Sequence, residues 1–237
     1  MHIYVGFDPR ERETYEVCKA SILHHSPNSV VHPIHLDTVQ IMGLYRRPFT
    51  YVGGKPYDPI SRAPMSTEFA LSRFLVPWLA KADGINDQFI LFTDCDMLMR
   101  CDIDDLLQYA DEQYAVQCVK HEVDHGQGVK MDGCEQTMYF RKNWSSVMLW
   151  NLKHEGNRRL TLEDFNSQRG LWLHSLLWLE SSEVGGLPKE FNHLVGINEP
   201  NPNAKIVHMT LGAPIIPGYD QCEYSDEWLD IYNKLGQ

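Results

Sequence analysis

The chain has 237 residues, is 43% hydrophobic and carries a formal net charge of −11. This length and apolar content predict a single core, so we expect residues 1–237 to form one domain. The negative charge argues against nucleic acid or an anionic membrane as the main partner, because neither would be attracted electrostatically.

The cysteines and the N-terminal residues indicate a cellular compartment. Six cysteines are scattered without a C-x-x-C pair, which predicts free thiols in a reducing environment. The opening residues MHIYVGFDPRERE lack the long apolar stretch of a signal peptide. No apolar run approaches the 18 residues of a membrane span. We therefore expect a cytoplasmic protein without a membrane span.

The first third of the chain predicts two strands around a helix, then a loop. Apolar runs predict strands at 2–8 and 29–36, and the helical spacing of apolar residues predicts a helix at 9–25. Glycine and proline cluster between Tyr45 and Pro64, which indicates a loop or a flexible hairpin. A helix is predicted to begin near Ser66 and to end or kink at Pro77.

The rest of the chain alternates between strand and helix patterns. Residues 120–142 have no periodicity and are expected to be irregular. The predicted strands are FILFTDCD (89–96), YAVQCV (114–119), SSVMLWNLK (145–153) and AKIVHMT (204–210). The predicted helices are IDDLLQYA (103–110), TLEDFNSQRG (161–170), LWLHSLLWLE (171–180) and SDEWLDIYNKL (225–235).

This alternation predicts an α/β fold with a mixed, mostly parallel central sheet flanked by helices. In such sheets, ligands bind beyond the carboxyl ends of the strands. Asp8, Asp94 and His208 all fall at or just after predicted strand ends. The sequence therefore predicts that a binding site lies at this edge of the sheet.

Asp94 and Asp96 form a D-x-D pair directly after an apolar run. Residues two apart in an extended chain point the same way, so both carboxylates can face one ligand. Two ionised carboxylates repel each other, and a divalent cation would remove this penalty. The alternative is a pair of solvated acids at a strand end. A second pair, Asp102 and Asp104, is more simply interpreted as a helix cap and a first-turn acid.

His208 opens the small-residue turn HMTLGAP. A histidine after an apolar strand is more often a satisfied core or loop residue than a ligand. A neutral imidazole beside two carboxylates would favour Mn²⁺ over Mg²⁺, although Mg²⁺ stays an alternative.

Several segments, in order and spacing, resemble glycosyltransferase family 8 and related bacterial nucleotide-sugar transferases. They are HIYVGFD, STEFALSRFLVPWL, ILFTDCDMLMRCDIDDL, SSVMLWNLK, LPKEFN and HMTLGAP, and they span residues 2–214. The segments KNWSS and CEYSDEW are similar to a bacterial and phage branch. The resemblance implies a GT-A nucleotide-binding fold. It also implies transfer of a hexose, with retention, from a nucleotide diphosphate sugar, with UDP-glucose or UDP-galactose as the expected donor.

The resemblance also implies roles for individual residues. Asp94, Asp96 and His208 match the family's metal ligands, usually for Mn²⁺, which would bridge the donor diphosphate. Asp8 matches a position that contacts the base, and Arg73 matches an arginine near the donor, with a solvated helix arginine as its alternative. The acceptor would be a saccharide or glycoconjugate. The full set of expected donor-binding residues is Gly6, Phe7, Asp8, Arg10, Arg73, Thr93, Asp94, Cys95 and Gly212.

The sequence departs from the family pattern at three places, one of which is Trp144-Ser145-Ser146 where the family has N-A-G before its fifth strand. The family's H-x-x-G-x-x-K-P-W lysine, which holds the diphosphate, has no counterpart near Ala213 and Pro214. The cations that could replace this lysine are Arg10, Arg46, Arg47 and Lys130. The family's acid–glutamine pair, on the reacting face of the donor sugar, falls near residues 172–174, Trp-Leu-His.

The catalytic group is therefore left open. In one route the leaving phosphate deprotonates the acceptor on the same face, and no protein base is needed. In the other route an acid forms a covalent intermediate. The acids considered are Glu122, Asp124 and Asp132, and His174 is a candidate for the wall of the site. Trp144, Trp172 and Trp178 could stack on sugar rings, but such residues are more often part of the core.

Two other functions compete with a glycosyltransferase. One is a D-x-D metal-dependent phosphatase of the haloacid dehalogenase class, in which the motif opens the fold. The other is a non-catalytic nucleotide-sugar binding protein on the same fold. It is made plausible by the missing lysine and acid–glutamine pair.

Overall fold

The computed structural model describes residues 1–122, 141 and 143–236. The segment predicted to be irregular, 120–142, therefore lies almost entirely outside the described residues. Asp124, Lys130 and Asp132 also lie outside them.

The described residues contain short strands and helices in alternation. The strands are β1 (His2–Gly6), β2 (Val30–Ile34), β3 (Thr50–Val52), β4 (Lys55–Asp58), β5 (Ala63–Pro64), β6 (Phe89–Thr93), β7 (Met97–Met99), β8 (Val116–Cys118), β9 (Val147–Asn151), β10 (Val184–Gly186), β11 (His193–Leu194) and β12 (Ile206–His208). The α-helices are α1 (Arg12–His25), α2 (Leu36–Ile41), α3 (Val76–Ala82), α4 (Leu162–Ser167), α5 (Gly170–His174) and α6 (Ser225–Leu235). The 3-10 helices are Pro9–Glu11, Ser72–Leu75, Ile103–Tyr109, Trp144–Ser146, Glu155–Arg159, Ser181–Glu183 and Lys189–Asn192.

The central sheet has six strands in the order β10-β8-β9-β6-β1-β2. Strands β1, β2 and β6 pair in parallel, as do β8 and β10. Strand β9 runs antiparallel to both of its neighbours, so the other strands of the sheet all point in one direction. The predicted α/β fold with a mixed, mostly parallel sheet flanked by helices is confirmed.

The strands at the centre of this sheet are apolar because both faces of the sheet are covered. All five residues of β9 are buried, and Trp150 in its centre is fully buried. Helix α1 packs against β7 and α6 and presents Val17, Cys18 and Ile22 to the interior. The carboxyl ends of β1 and β6 lie at the same edge of the sheet because these strands are parallel neighbours.

A second sheet, β11-β12-β7, positions the D-x-D segment. The sequence pattern predicted one strand over 89–96, but β6 ends at Thr93 and a separate strand, β7, begins at Met97. Strand β7 pairs antiparallel with β12, and this register sets His208 opposite Met97. The connection between β6 and β7 therefore lies beside the end of β12.

The helix predicted from Ser66 to Pro77 is wrong. The chain forms turns up to Leu71, then a 3-10 helix over Ser72–Leu75, and α3 begins at Val76 with Pro77 in its first turn. Proline has no N–H to donate, and the first turn of a helix needs none, so Pro77 begins this helix instead of ending it.

The segment from Tyr45 to Pro64 forms an antiparallel sheet, β3-β4-β5, so its interpretation as a hairpin is confirmed. This sheet is joined to the main core by Arg47. The Nη2 atom of Arg47 lies 2.6 Å from Oδ2 of Asp58, and both side chains are buried. Its Nη1 atom donates to the carbonyl oxygens of Phe165 and Gln168.

The predicted C-terminal helix, 225–235, matches α6. Trp228 is fully buried in a small core cluster with Val17, Leu98 and Val207, while Leu235 at the end of the helix is exposed. Helix 171–180 is shorter than predicted, because α5 ends at His174 and Leu176 has a positive φ of 52°. None of the helices in the described part of the chain is long and apolar enough to cross a membrane.

Candidate metal centre

Asp94, Asp96 and His208 converge at the carboxyl edge of the sheet. Each offers one ligand atom, and these atoms all lie within 4.8 Å of one another. Asp94 and Asp96 stand in the connection between β6 and β7, and His208 ends β12. The fold therefore brings together residues more than 110 positions apart in the sequence.

Asp94 is held by contacts from two directions. Its N–H donates to the carbonyl oxygen of Ser146, 2.9 Å away. Its Oδ1 atom lies 2.8 Å from Nη1 of Arg73, which also donates to the carbonyl oxygen of Ser145. The Arg73 side chain is only 6% exposed and lies near the rings of Phe69 and Phe92. The alternative of a solvated arginine is therefore wrong.

Burial is the main influence on the charge of Asp94. It raises the pKa of Asp94 to about 6, and repulsion from Asp96 acts in the same direction. The nearby charge of Arg73 opposes this rise but does not cancel it. A cation bound between the two carboxylates would favour the ionised form of both.

His208 meets Asp96 across the second sheet. Its Nε2 atom lies 3.2 Å from Oδ2 of Asp96, and the side chain of His208 is 4% exposed. The N–H of Met209 donates to the carbonyl oxygen of Asp96 at 2.9 Å, which continues the β7–β12 pairing past its end. The backbone ladder thus sets the distance between imidazole and carboxylate.

This donor set fits a divalent cation. The guanidinium of Arg73 pairs with Asp94 alone, so two ionised carboxylates beside this one cation keep a net negative charge when His208 is neutral. Carboxylate oxygens with one imidazole nitrogen suit Mn²⁺, and oxygen ligands also suit Mg²⁺. The geometry of Asp94, Asp96 and His208 therefore fits a site for a divalent cation.

Asp8, two residues after the end of β1, is fully buried and caps the 3-10 helix Pro9–Glu11. Its Oδ1 atom accepts hydrogen bonds from N and Nε of Arg10, and its Oδ2 atom accepts from Nη2 of Arg10 and N of Glu68. Both oxygens are thus engaged by the protein itself. The expected contact between Asp8 and a nucleotide base stays a prediction.

We expect Asp8→Asn to destabilise the protein by about 1–3 kcal/mol, because an amide cannot accept all of these hydrogen bonds. Burial alone would raise the pKa of Asp8, but the hydrogen bonds from Arg10 and Glu68 outweigh it and lower this pKa. The stabilisation from Asp8 is therefore present above its unfolded pKa of about 4 and is lost as the pH falls through its folded pKa. Urea unfolding of both proteins between about pH 7 and pH 2.5 measures this. A variant that loses stability in acid as steeply as the wild type would contradict it.

Glu11 is a residue near the centre that sequence reasoning missed. Its Oε2 atom accepts a hydrogen bond from Sγ of Cys95, 3.1 Å away. Burial raises the pKa of Glu11 to about 7, and the charge of Asp96 adds to this. The only signal in the sequence was its position three residues after Asp8. Cys95, expected near the donor, directs its buried thiol at Glu11.

The other expected donor-binding residues near the strand ends have packing roles. A Cβ atom at Gly6 would lie within 2.5 Å of the ring of Phe69, and one at Gly212 would lie 2.8 Å from that of Tyr219. Phe7 packs on His35, with ring centroids 4.2 Å apart. Thr93 is fully buried at the end of β6.

The candidate catalytic residues are separated by the fold. His174 lies near the centre, since its Nδ1 atom is 2.9 Å from Oγ of Ser145. Burial, together with the charge of Arg73, lowers the pKa of His174 to about 3, so it is neutral at physiological pH. Glu122 is exposed at the edge of the described residues, and Asp132 lies outside them.

The structure reduces the number of cations that could take the place of the missing diphosphate-binding lysine. The Arg47 side chain is buried and bound to Asp58 and two carbonyl groups, so it is not available to a diphosphate. Arg10 is 40% exposed and paired with Asp8. Arg46 is exposed.

The three tryptophans considered for sugar stacking are largely packed within the protein. Trp178 is buried and stacks on Trp150, with ring centroids 6.2 Å apart, and it also contacts Trp172. Trp144 is partly buried, and its Nε1 donates to the carbonyl oxygen of His121. The interpretation as core residues thus fits Trp178 best.

Comparison with known proteins places the chain in a family. A scan against protein-family models matched none. The chain is 39% identical over 242 residues to Protein CDI of Arabidopsis thaliana, and the match covers 98% of the chain and 87% of that protein. This chain belongs to the Protein CDI family. Because this family member is a plant protein, the bacterial and phage branch inferred from KNWSS and CEYSDEW stays a prediction.

Comparison with solved structures shows the fold of the present chain, which is a relative of Protein CDI. It resembles the WbbM bifunctional glycosyltransferase with a TM-score of 0.64 and 13% identity, covering 98% of this chain and 49% of that one. It resembles the galactosyltransferase LgtC, solved with donor and acceptor sugar analogues, with a TM-score of 0.61 and 15% identity, covering 99% and 96%. It resembles GlyE of Streptococcus pneumoniae with a TM-score of 0.58 and 11% identity, covering 98% and 60%. The present chain therefore has the fold of GT-A glycosyltransferases.

Proposed function

We propose that this protein is a Mn²⁺-dependent glycosyltransferase that moves a hexose from UDP-glucose or UDP-galactose to an acceptor, with retention. The observation that carries this proposal is the convergence of Asp94, Asp96 and His208 at the carboxyl edge of a GT-A sheet. An ion held there would neutralise a diphosphate and stabilise charge on the departing nucleotide.

In this proposal the residues of the chain fix the ligands before any donor arrives. Arg73 orients Asp94 through the 2.8 Å ion pair, and the β7–β12 ladder sets His208 against Asp96. Rigid ligands reduce the reorganisation that the transition state requires. The buried guanidinium also limits the negative charge that the site presents to an anionic donor.

The two candidate catalytic residues that the structure describes, His174 and Glu122, favour the route without a protein nucleophile. His174 is close but neutral and only partly buried, with a pKa lowered by desolvation, and Glu122 is exposed. We therefore propose that an oxygen of the leaving phosphate accepts the proton of the acceptor hydroxyl, on the face from which the nucleotide departs. We also propose a saccharide or glycoconjugate acceptor, a single domain over residues 1–237, and a cytoplasmic location.

A screen of nucleotide sugars for slow hydrolysis tests this function. We expect release of UDP from UDP-glucose or UDP-galactose in the presence of Mn²⁺, with less release in Mg²⁺ and loss of release in EDTA. The products should keep the anomeric configuration of the donor, which NMR of the freshly released sugar measures. Metal-independent hydrolysis, or inversion, would contradict the proposal.

A non-catalytic nucleotide-sugar binding protein is the second candidate. It is favoured by the absence of the family lysine and by the engagement of Arg47 inside the core. In that case UDP would bind in the presence of Mn²⁺, as calorimetry measures, and no donor would be hydrolysed. The phosphatase alternative requires phosphate release from an aryl phosphate without any response to UDP-sugars, and the GT-A fold does not support it.

A further inference from the structure

The Nδ1 atom of His208 faces a polar side chain on the side away from the metal centre. It lies 3.1 Å from Oδ1 of Asn192, and both residues are buried. Asn192 ends the 3-10 helix Lys189–Asn192, directly before β11, which pairs with β12. The pairing of β11 with β12 therefore brings the side-chain amide of Asn192 to the imidazole of His208.

The hydrogen positions in the network around Asn192 follow from which of its groups can donate and which can only accept. The hydroxyl of Ser146 donates to the carbonyl oxygen of Asn143, at 2.7 Å, and a carbonyl can only accept. With its one hydrogen used, Oγ of Ser146 must accept from its neighbour at 2.8 Å, Nδ2 of Asn192. The amide nitrogen of Asn192 also faces the carbonyl of Asn143, at 3.4 Å, which excludes the flipped amide.

With the amide orientation set in this way, Oδ1 of Asn192 faces His208. A carboxamide oxygen only accepts, so Nδ1 of His208 must carry a hydrogen. In the neutral imidazole the hydrogen on Nδ1 leaves Nε2 as the atom with the lone pair. Nε2 is the atom that lies 3.2 Å from Asp96.

We propose that Asn192, held by Ser146, is a positioning residue that keeps a hydrogen on Nδ1 of His208, so that Nε2 is the nitrogen through which His208 would bind a cation. The hydrogen bonds from the carbonyl of Asn143 through Ser146 and Asn192 to His208 form a relay. Because each donor in this relay faces an acceptor, each side chain has one allowed orientation. This inference rests on the proposed function, because the hydrogen position on His208 affects that function only if the centre binds a cation. The hydrogen on Nδ1 itself is a property of the metal-free protein.

The same backbone also connects the relay to the first ligand. Ser146 accepts the amide of Asn192 through its hydroxyl and the N–H of Asp94 through its carbonyl. One residue thus orients both the first carboxylate and, through Asn192, the imidazole. Partners that hydrogen-bond to ligating histidines typically contribute about 10–100-fold to metal affinity.

The variants Asn192→Leu and Asn192→Asp separate this role from packing. Leucine preserves the volume but cannot accept from Nδ1, so we expect Mn²⁺ binding about 10–100-fold weaker, measured by electron paramagnetic resonance of free Mn²⁺. Aspartate still accepts, so Asn192→Asp should recover most of the affinity. Asn157→Leu is the matched control, because this buried asparagine donates to the carbonyls of Ala115 and Asn151, outside the centre. It should leave Mn²⁺ affinity unchanged.

The tautomer of His208 is measured directly in the metal-free protein by ¹⁵N–¹H NMR at a pH where the imidazoles are neutral. The chain has 11 histidines, and the signal of His208 is identified by its loss in His208→Gln. We expect the hydrogen on Nδ1 in the wild type and Asn157→Leu, and a shift toward Nε2 in Asn192→Leu. A wild type without a hydrogen on Nδ1, or an unchanged Nδ1 signal in Asn192→Leu, would overturn the relay. If the wild type shows the Nδ1 hydrogen but binds no Mn²⁺, the relay stands and the proposed function fails.

Discussion

Asp96→Asn is expected to abolish Mn²⁺-dependent hydrolysis of the donor, with a loss of more than about 100-fold. Loss of a direct ligand should exceed the 10–100-fold that outer partners of a metal ligand contribute. The amide also removes one of the two negative charges that hold the cation beside His208. Steady-state release of UDP with Mn²⁺, and Mn²⁺ binding by the same samples, measure the effect.

The fold should survive this change. Asparagine removes the repulsion between the carboxylates of Asp94 and Asp96, so the metal-free variant should unfold at the same temperature as the wild type or higher. Asp104→Asn is the matched control, because Asp104 also belongs to a D-x-D pair but contacts the N-terminal amine at 3.3 Å. Hydrolysis that is unchanged in Asp96→Asn, or equally lost in Asp104→Asn, would remove the metal role assigned to Asp96.

Arg47→Met is expected to lower the free energy of unfolding by about 3–5 kcal/mol, because it leaves the buried Asp58 without its cation. The carbonyl oxygens of Phe165 and Gln168 also lose their donor. For a domain of this size the change corresponds to a fall in Tm of roughly 6–20 °C, which calorimetry measures.

Arg46→Met is the matched control for this prediction. Its side chain is exposed, and the residue's hydrogen bond to Asn166 comes from the backbone N–H, so the change in stability should stay within about 0.5 kcal/mol. If Arg47→Met unfolds at the same temperature as Arg46→Met, the buried pair is not what joins the β3-β4-β5 sheet to the core. Asp58→Asn then tests the pair from its other side.

The strand ends could be predicted from the sequence, because local patterns determine them. Strand β1 ends two residues before Asp8, β6 ends directly before Asp94, and β12 ends at His208. Parallel pairing then brings the first two ends together, so the edge of the sheet was predictable, whereas the assignment of His208 to the ligand set came from the family resemblance. The second D-x-D was also predictable as a cap, since Oδ1 of Asp102 accepts from the N–H of Asp104.

Features that depend on contacts between distant segments could not be predicted. Strand β7 has three residues, too few for a periodic pattern, and it forms because β12 pairs with it. Pro77 has the same sequence signature at either end of a helix, and only the packing of α3 decides between them. Glu11 contacts Cys95, 84 positions away, and Asn192 contacts His208, 16 positions away. No local sequence pattern predicts such contacts.

The ladder between β7 and β12 has a consequence for how the site assembles. Because the N–H of Met209 is bonded to the carbonyl of Asp96, the ligands reach their places when the second sheet forms, and no later rearrangement is needed. Conformational entropy of the ligand segments is then lost during folding and not at the moment when an ion arrives. Capture of the ion should consequently be fast, and the amide of Met209 should exchange with solvent slowly even in chelator.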